Sequence, residues 1–195
     1  MHSIKSNVEN EYTIKKSKFI CKLYRINNLN NIDIILKSIK MEYKDSTHIC
    51  YAYILDNIKR FNDDNEPSGT AGIPILNVLE KNELNYILCI VIRYFGGIKL
   101  GSGGLIRAYS TSVSNTLKLA NVIELVNGKV IEITFSYENI KKIDKILSNF
   151  NILNKEFNDD IKYVFEISNK DFTELNLDNL CINIKIIKTD LIVKN

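Results

Sequence analysis

The sequence predicts an α+β protein of two domains, residues 1–127 and 128–195, and three observations carry that expectation. Strand-like and helix-like runs alternate through the first domain. Both prolines and seven of the eight glycines fall between Pro67 and Gly104, so one region departs from an Ile-, Asn- and Lys-rich background. Beyond residue 128 the runs follow the order βαββαβ and carry no glycine, arginine or histidine cluster.

In chain order, residues 12–26 (YTIKKSKFICKLYRI) have a strand pattern, clearest in the alternation Phe19, Cys21, Leu23. Asn30 or Asn31 is expected to cap a helix whose apolar positions Ile32, Ile35, Leu36, Ile39 and Tyr43 follow helical spacing. THICYAYIL, 47–55, is a second strand. The polar stretch 56–69 is a loop, and a short helix runs from Gly72 to Leu79 with Pro74 in its first turn. NYILCIVIRYF, 85–95, is the most hydrophobic run and reads as a central strand buried on both faces. A helix from Gly103 to Ala120 packs through Leu105, Tyr109, Val113, Leu117 and Ala120. Residues 122–126 close the first domain, with Asn127-Gly128 as a turn or boundary. The tail then gives a strand at 129–136, a helix at 138–150, strands at 151–157 and 161–168, a short helix at 170–177 and a last strand at 180–187. That order is the ferredoxin-like split βαβ arrangement.

The chain has 195 residues, 45% of them hydrophobic, enough for a sizeable core. No apolar run reaches the length of a membrane span, and MHSIKSNVENEY lacks the apolar segment of a signal peptide. A cytoplasmic protein with no membrane partner is expected. Cys21, Cys50, Cys89 and Cys181 form no CxxC pair and read as reduced, buried thiols. His2 reads as a mobile terminal residue. A net charge of +3 does not by itself call for nucleic acid. Only four of the 26 basic residues are arginine, yet two of those, Arg93 and Arg107, bracket the glycine-rich stretch.

RYFGGIKLGSGG, residues 93–104, holds five of the eight glycines. Gly96, Gly97, Gly101, Gly103 and Gly104 can turn several amides toward one point, and a helix opening at Gly103 or Gly104 adds unpaired N–H donors and partial positive charge. An anion suits such a loop. Lys99 lies inside it, Ser102 beside the helix start, Arg107 one turn into the helix, and Arg93 at the end of the preceding strand. The alternative is a purely structural role, a tight strand-to-helix connection. Neither a Walker A nor a GxGxxG pattern occurs.

NDDNEPSGTAGIP supplies a second wall. Asp63, Asp64 and Glu66 could hold Mg²⁺ or act as a base, or could simply cap the next helix. Ser68, Gly69, Thr70, Ala71 and Gly72 offer further amides. His48 and Cys50 sit two apart on one strand face, a spacing open to a nucleophile pair but better suited to a packed histidine. No metal or cofactor is predicted. Charge-assisted hydrogen bonds contribute roughly 1.5–3 kcal/mol each against an association cost on the order of 4–15 kcal/mol. Useful affinity therefore requires a ligand larger than a lone phosphate: a nucleotide, an RNA backbone or an acidic protein surface.

STHICYAY, DDNEPSGTAGIPILNVLE and VIRYFGGIKLGSGGLIRAYS, in that order from about Lys18 to Ala120, resemble the YigZ/Impact family. Asn65 stands where the family usually has glycine, and Ile49 where it usually has asparagine. The resemblance implies a first domain similar to the second domain of ribosomal protein S5, an α/β sandwich, followed by a ferredoxin-like domain similar to the last domain of elongation factor G. Eukaryotic members carry an added RWD domain and regulate translation by limiting activation of a starvation-responsive initiation-factor kinase, an interaction not carried over here. For bacterial members the resemblance implies binding to nucleic acid or the translation machinery.

Three functions follow. The first is a non-enzymatic module for RNA, the ribosome or a translation factor, with Tyr94, Phe95 and Tyr109 as possible stacking groups. The second is a phosphate-handling enzyme, kinase-like or hydrolytic, using the same loop. The third is a protein-interaction scaffold whose glycines only shape the backbone. The first is the expectation taken forward.

Overall fold

The computed structural model describes residues 1–177 and 179–194. The chain opens with β1 (His2–Ile4), whose His2 N–H donates to Glu83 C=O and whose His2 C=O accepts from Asn85 N–H. His2 is therefore held, against the expectation of a mobile end. Residues 12–26 form not one strand but most of a hairpin, β2 (Val8–Ile14) and β3 (Ser17–Arg25). Lys15 and Lys16 form its two-residue turn, with φ of 46° and 64°, the left-handed pair that matches the twist of the flanking strands. Helix α1 (Leu29–Glu42) starts one turn earlier than its apolar pattern suggests, because Asn28 caps it by accepting from Asn31 N–H at 2.9 Å.

Strand β4 (His48–Leu55) turns at Asp56-Asn57 into β5 (Ile58–Asn62). Part of the expected loop 56–69 is thus an edge strand. Its residues are all exposed, so it lacks the alternation that would mark it in sequence. Helix α2 (Gly72–Lys81), strand β6 (Ile87–Tyr94) and helix α3 (Ser102–Leu117) follow as expected.

These strands form an antiparallel sheet in the order β2–β3–β6–β4–β5. Strand β6 sits at its centre and contributes alternate residues to two cores. Ile87, Cys89 and Val91 pack with Ile75 and Leu79 of α2 and Leu105, Tyr109 and Val113 of α3, whereas Leu88, Ile90 and Ile92 pack with Ile32 and Ile39 of α1. The sheet is therefore the middle of three layers. Burying each such aliphatic side chain contributes roughly 1.5–3 kcal/mol, which explains why β6 is apolar throughout.

The chain divides into two compact units, Met1–Ile123 and Glu124–Asn195. Strand β7 (Val122–Phe135) runs through Asn127-Gly128 without a turn: Asn127 pairs with Leu191, and Gly128 with both Asp190 and Ser168. The dipeptide is thus mid-strand, and tertiary pairing on both sides overrides its turn preference. In the second unit a 3₁₀ turn at Tyr137–Asn139, helix α4 (Ile140–Ile146) and a 3₁₀ turn at Leu147–Asn149 replace one continuous helix. Strands β8 (Asn151–Phe157) and β9 (Ile161–Ser168), helix α5 (Asn169–Glu174) and strand β10 (Asn183–Val193) complete the unit. Its strands lie in the antiparallel order β10–β7–β9–β8, and Ile131, Ile133, Phe135, Ile143, Tyr163 and Phe165 lie in its core.

The whole is an α+β protein. Cys21, Cys50 and Cys89 are buried, while Cys181 is only half-buried. Among the described residues no helix is long and apolar enough to cross a membrane.

Candidate functional site

Strand pairing brings the two halves of the site together. Across β4 and β6, His48 lies opposite Arg93, and across β3 and β6, Phe19 lies opposite Arg93. Arg93 therefore emerges on the α2/α3 face of the sheet at the end of β6, 5.5 Å from the centres of the Phe19 and Phe95 rings. Its residue is only 5% exposed, and its charge is met by Glu66, also buried: Arg93 Nη1 donates to Glu66 Oε1 at 2.6 Å. The Tyr109 hydroxyl, from α3, donates to the same oxygen at 2.8 Å.

His48 and Cys50 flank this ion pair. His48 Nδ1 donates to the Asp64 carbonyl at 2.8 Å, an acceptor that fixes the proton on Nδ1 and leaves Nε2 on the Glu66 side, 3.8 Å from Oε1. Cys50 Sγ lies 3.0 Å from the Asp63 carbonyl and 3.3 Å from Tyr109 Oη. Burial pushes the Cys50 thiol up to about 12, with the Glu66 and Asp64 charges adding to the effect. Burial likewise pushes the Tyr109 phenol far above its ordinary value. Both groups stay protonated, and Cys50 is a core thiol instead of a nucleophile.

The acidic stretch is consumed by the fold. Asp63 Oδ1 accepts from the amides of Ala71 and Gly72 at 3.1 and 2.7 Å, and Oδ2 from Gly69 at 2.8 Å. One carboxylate thus fills the N-terminus of α2. Thr70 N–H turns to Pro67 C=O, and Ser68 is exposed. Asp64 Oδ2 accepts from Ile49 N–H at 2.6 Å. Asp64 and Asn65 occupy the left-handed region, with φ of 43° and 65°, a conformation asparagine tolerates better than most residues. Among the described residues no group of three or more histidine, cysteine or acidic side chains is placed to hold a metal.

The glycine-rich loop separates into distinct roles. Gly96 faces the β2–β3 turn so closely that a Cβ would lie 2.0 Å from Lys16 C, and its N–H donates to Ser17 Oγ. Gly97 and Gly101 have φ of 82° and 72°, and Gly101 is the N-cap residue of α3. The first closed turn is Leu105 N–H to Gly101 C=O, and the first turn of α3 carries no acidic residue. The amides of Ser102, Gly103 and Gly104 consequently have no acceptor among the described residues.

A cavity of about 400 Å³ opens at this end of α3. Of the expected residues His48, Glu66, Arg93, Lys99, Gly101 and Ser102 line it. Lys99 and Arg107 are exposed, and Arg107 lies outside the wall. Sequence reasoning missed Thr47, Pro67, Leu100 and Leu105, which supply the apolar part of the wall and its rim. They come from separate parts of the chain, before β4, before α2 and at the start of α3, and no local pattern encodes their meeting. Of the three aromatics considered for stacking, Tyr109 is core at 0% exposure, Phe95 is 45% exposed on the cavity wall, and Tyr94 lies between these extremes outside it.

Residues 15–117 match the Impact N-terminal domain family. Over 157 residues the chain is 42% identical to the IMPACT family member YvyE of Bacillus subtilis (strain 168), covering 79% of this chain and 72% of the relative. Over 173 residues it is 35% identical to an IMPACT family member of Haemophilus influenzae, covering 85% and 84%. A crystal structure described only as a hypothetical protein superposes with a TM-score of 0.65 at 27% identity, covering 89% of this chain and 87% of the other. The matched segment contains every residue that lines the cavity, and the curated similarities extend across most of the chain: it belongs to the Impact family.

Proposed function

We propose that the chain is a non-enzymatic binding module of the translation machinery that takes an anionic group of RNA, in the free strand or on the ribosome, at the cavity before α3. One observation carries the reading. The two helix N-termini on this face of the sheet are treated differently: α2 is filled by the protein's own Asp63 carboxylate, whereas the Ser102, Gly103 and Gly104 amides of α3 have no acceptor among the described residues, and Ser102 shares the cavity wall with Lys99 and Arg93. A helix start of this kind favours an anion through its dipole and its donors together. The family's implied role in translation points the same way. So do the proposed fold relationships, an S5-type first unit and a ferredoxin-like second unit, the latter supported by its strand order β10–β7–β9–β8.

The reading as a magnesium-dependent phosphate-handling enzyme is less well supported, because Asp63, Asp64 and Glu66 are each committed to amides or to Arg93. The test is an anisotropy titration of labelled single-stranded and structured RNA at two salt concentrations. Wild type is expected to bind in a salt-sensitive manner, and Lys99→Ala/Arg107→Ala to bind more weakly, with a salt slope smaller by about one unit for each phosphate no longer neutralised. Arg93 is left intact because it is buried in an ion pair. Wild-type protein that ignores RNA, or a variant that binds as well as wild type, removes the reading.

A further inference from the structure

We infer that the cavity before α3 receives one unstacked guanine base, read by Glu66, His48 and Thr47 and stacked on Phe95. This rests on the RNA reading above for the source of the base, and it makes no use of phosphate or of the α3 amides. What carries it is the set of hydrogen-bonding groups that the wall leaves unfilled.

Glu66 lines the cavity, and its side chain is only 3% exposed. Both donors that reach it, Arg93 Nη1 and the Tyr109 hydroxyl, go to Oε1. Oε2 accepts from no donor among the described residues, yet it keeps accessible surface. A carboxylate oxygen in so enclosed a place calls for a donor, because hydrogen bonds to charged groups are among the stronger ones. His48 Nδ1 spends its proton on the Asp64 carbonyl, so Nε2 of the neutral ring is a second acceptor. Its neighbour Glu66 Oε1, 3.8 Å away, has no proton to give. Thr47 Oγ1 accepts from Phe95 N–H at 2.9 Å, and its own proton has no acceptor among the described residues. The wall therefore offers two acceptors and one donor.

Charge and shape narrow the guest. A cation would satisfy the acceptors, but Arg93 and Lys99 stand in the same wall and oppose it. The guest must bring neutral donors. Pro67, Phe95, Leu100 and Leu105 make the rest of the wall apolar, and a volume of about 400 Å³ suits a small, flat organic group. Phe95 is 45% exposed, with the Arg93 guanidinium carbon 5.5 Å from its ring centre, a surface on which bases of single strands stack. Of the four RNA bases, guanine alone carries two donors, N1–H and the N2 amino group, beside one acceptor, O6, on its pairing edge. Adenine and cytosine bring one donor there, and uracil one donor between two acceptors. Guanine is thus the complement of Glu66 Oε2, His48 Nε2 and the Thr47 hydroxyl taken together.

The same base is offered by an RNA strand and by a free guanine compound, and the experiment separates them. Anisotropy titrations of the full chain use short labelled uridine strands with a central guanine, inosine, adenine or abasic site, and uridine throughout as the reference. The guanine strand is expected to bind at least about tenfold more tightly than the adenine, uridine and abasic strands. Inosine, which lacks the N2 amino group, should fall in between. Phe95→Ala should narrow the gap between guanine and abasic strands. Glu66→Gln puts an amide beside the base and should remove the guanine preference; if that variant does not fold, inosine makes the comparison on the wild-type protein. Calorimetry with guanosine and adenosine gives the source: a guanine strand tighter than guanosine identifies RNA, and guanosine at least as tight identifies a free compound. Strands that bind alike whatever the central base overturn the inference and leave the RNA reading in place. Inosine as tight as guanine, or a gap unchanged in Phe95→Ala, does the same. Guanosine preferred over adenosine with every strand ignored keeps the pocket and removes the RNA reading. No binding of strand or nucleoside overturns both.

Discussion

Glu66 and Arg93 show how one residue can matter more for what it neutralises than for what it stabilises. The side chains are 3% and 6% exposed, so removing one leaves the other as an uncompensated buried charge. Glu66→Ala is expected to cost about 3–5 kcal/mol, and the paired replacement Glu66→Leu/Arg93→Met to recover most of that, read as urea unfolding midpoints. Gly96 and Gly97, adjacent in sequence, should separate sharply in the same measurement. Gly96→Ala forces a methyl into the Lys16 backbone and should cost about 3 kcal/mol. Gly97→Ala meets no atom within 4 Å and carries only the left-handed backbone penalty, roughly 1 kcal/mol. Cys50 adds a pH dependence. With its folded pKa raised to about 12 from 9.0, it keeps its proton where the unfolded chain has lost it, so stability falls as pH rises through that window, by up to about 1.4 kcal/mol per pH unit. Cys50→Ala should flatten that part of the stability curve.

At the scale of elements, the molecule is joined by side chains that reach between strands and helices. Asp63 leaves the end of β5 and closes the start of α2 through three amides, so Asp63→Ala should lower the thermal midpoint by the equivalent of about 2 kcal/mol, the upper range for a helix cap. Lys22 of β3 reaches Glu9 of β2 at 3.0 Å and Glu42 of α1 at 3.4 Å, with the Tyr43 ring beneath it. Burial opposes its charge, but hydrogen bonds with Tyr43 and Glu9 outweigh burial and raise its pKa above the ordinary lysine value. A cation stabilised in the fold contributes fully below about pH 10.5 and loses that contribution as pH climbs through the raised value. Lys22→Met should therefore weaken the protein at neutral pH and reduce its alkaline sensitivity, both visible in denaturation curves at a series of pH values.

For the whole molecule, each unit has its own core. Among the described residues, the two clusters flanking the first sheet draw only on residues from Ile4 to Ala120, and that of the second unit only on residues from Ile131 to Ile184. A chain ending at Ile123 is expected to unfold cooperatively and to retain the RNA binding proposed for the cavity, since every lining residue lies between Thr47 and Leu105. Circular dichroism melts and the anisotropy titration check both. A chain that melts without a cooperative transition would show that the first unit depends on residues beyond its own core.

The sequence by itself determined the elements with strong periodicity. The all-apolar run of β6, the helical spacing of α3 and the βαββαβ order of the tail are written in patterns that report burial directly. It also marked the neighbourhood of the candidate site, because glycine and arginine together are unusual in so Ile-, Asn- and Lys-rich a chain. Tertiary structure alone decided which of those residues work as a group. Asp63 and Glu66 belong to one acidic stretch, yet long-range contacts send the first to a helix cap and the second to a buried arginine. Lys15-Lys16 became a turn through the twist of the strands around it, and Asn127-Gly128 became strand through partners on both sides. Local pattern fixes what a segment prefers, but the pairing of β4 with β6 fixes that His48 meets Arg93, and pairing depends on residues far apart in the chain.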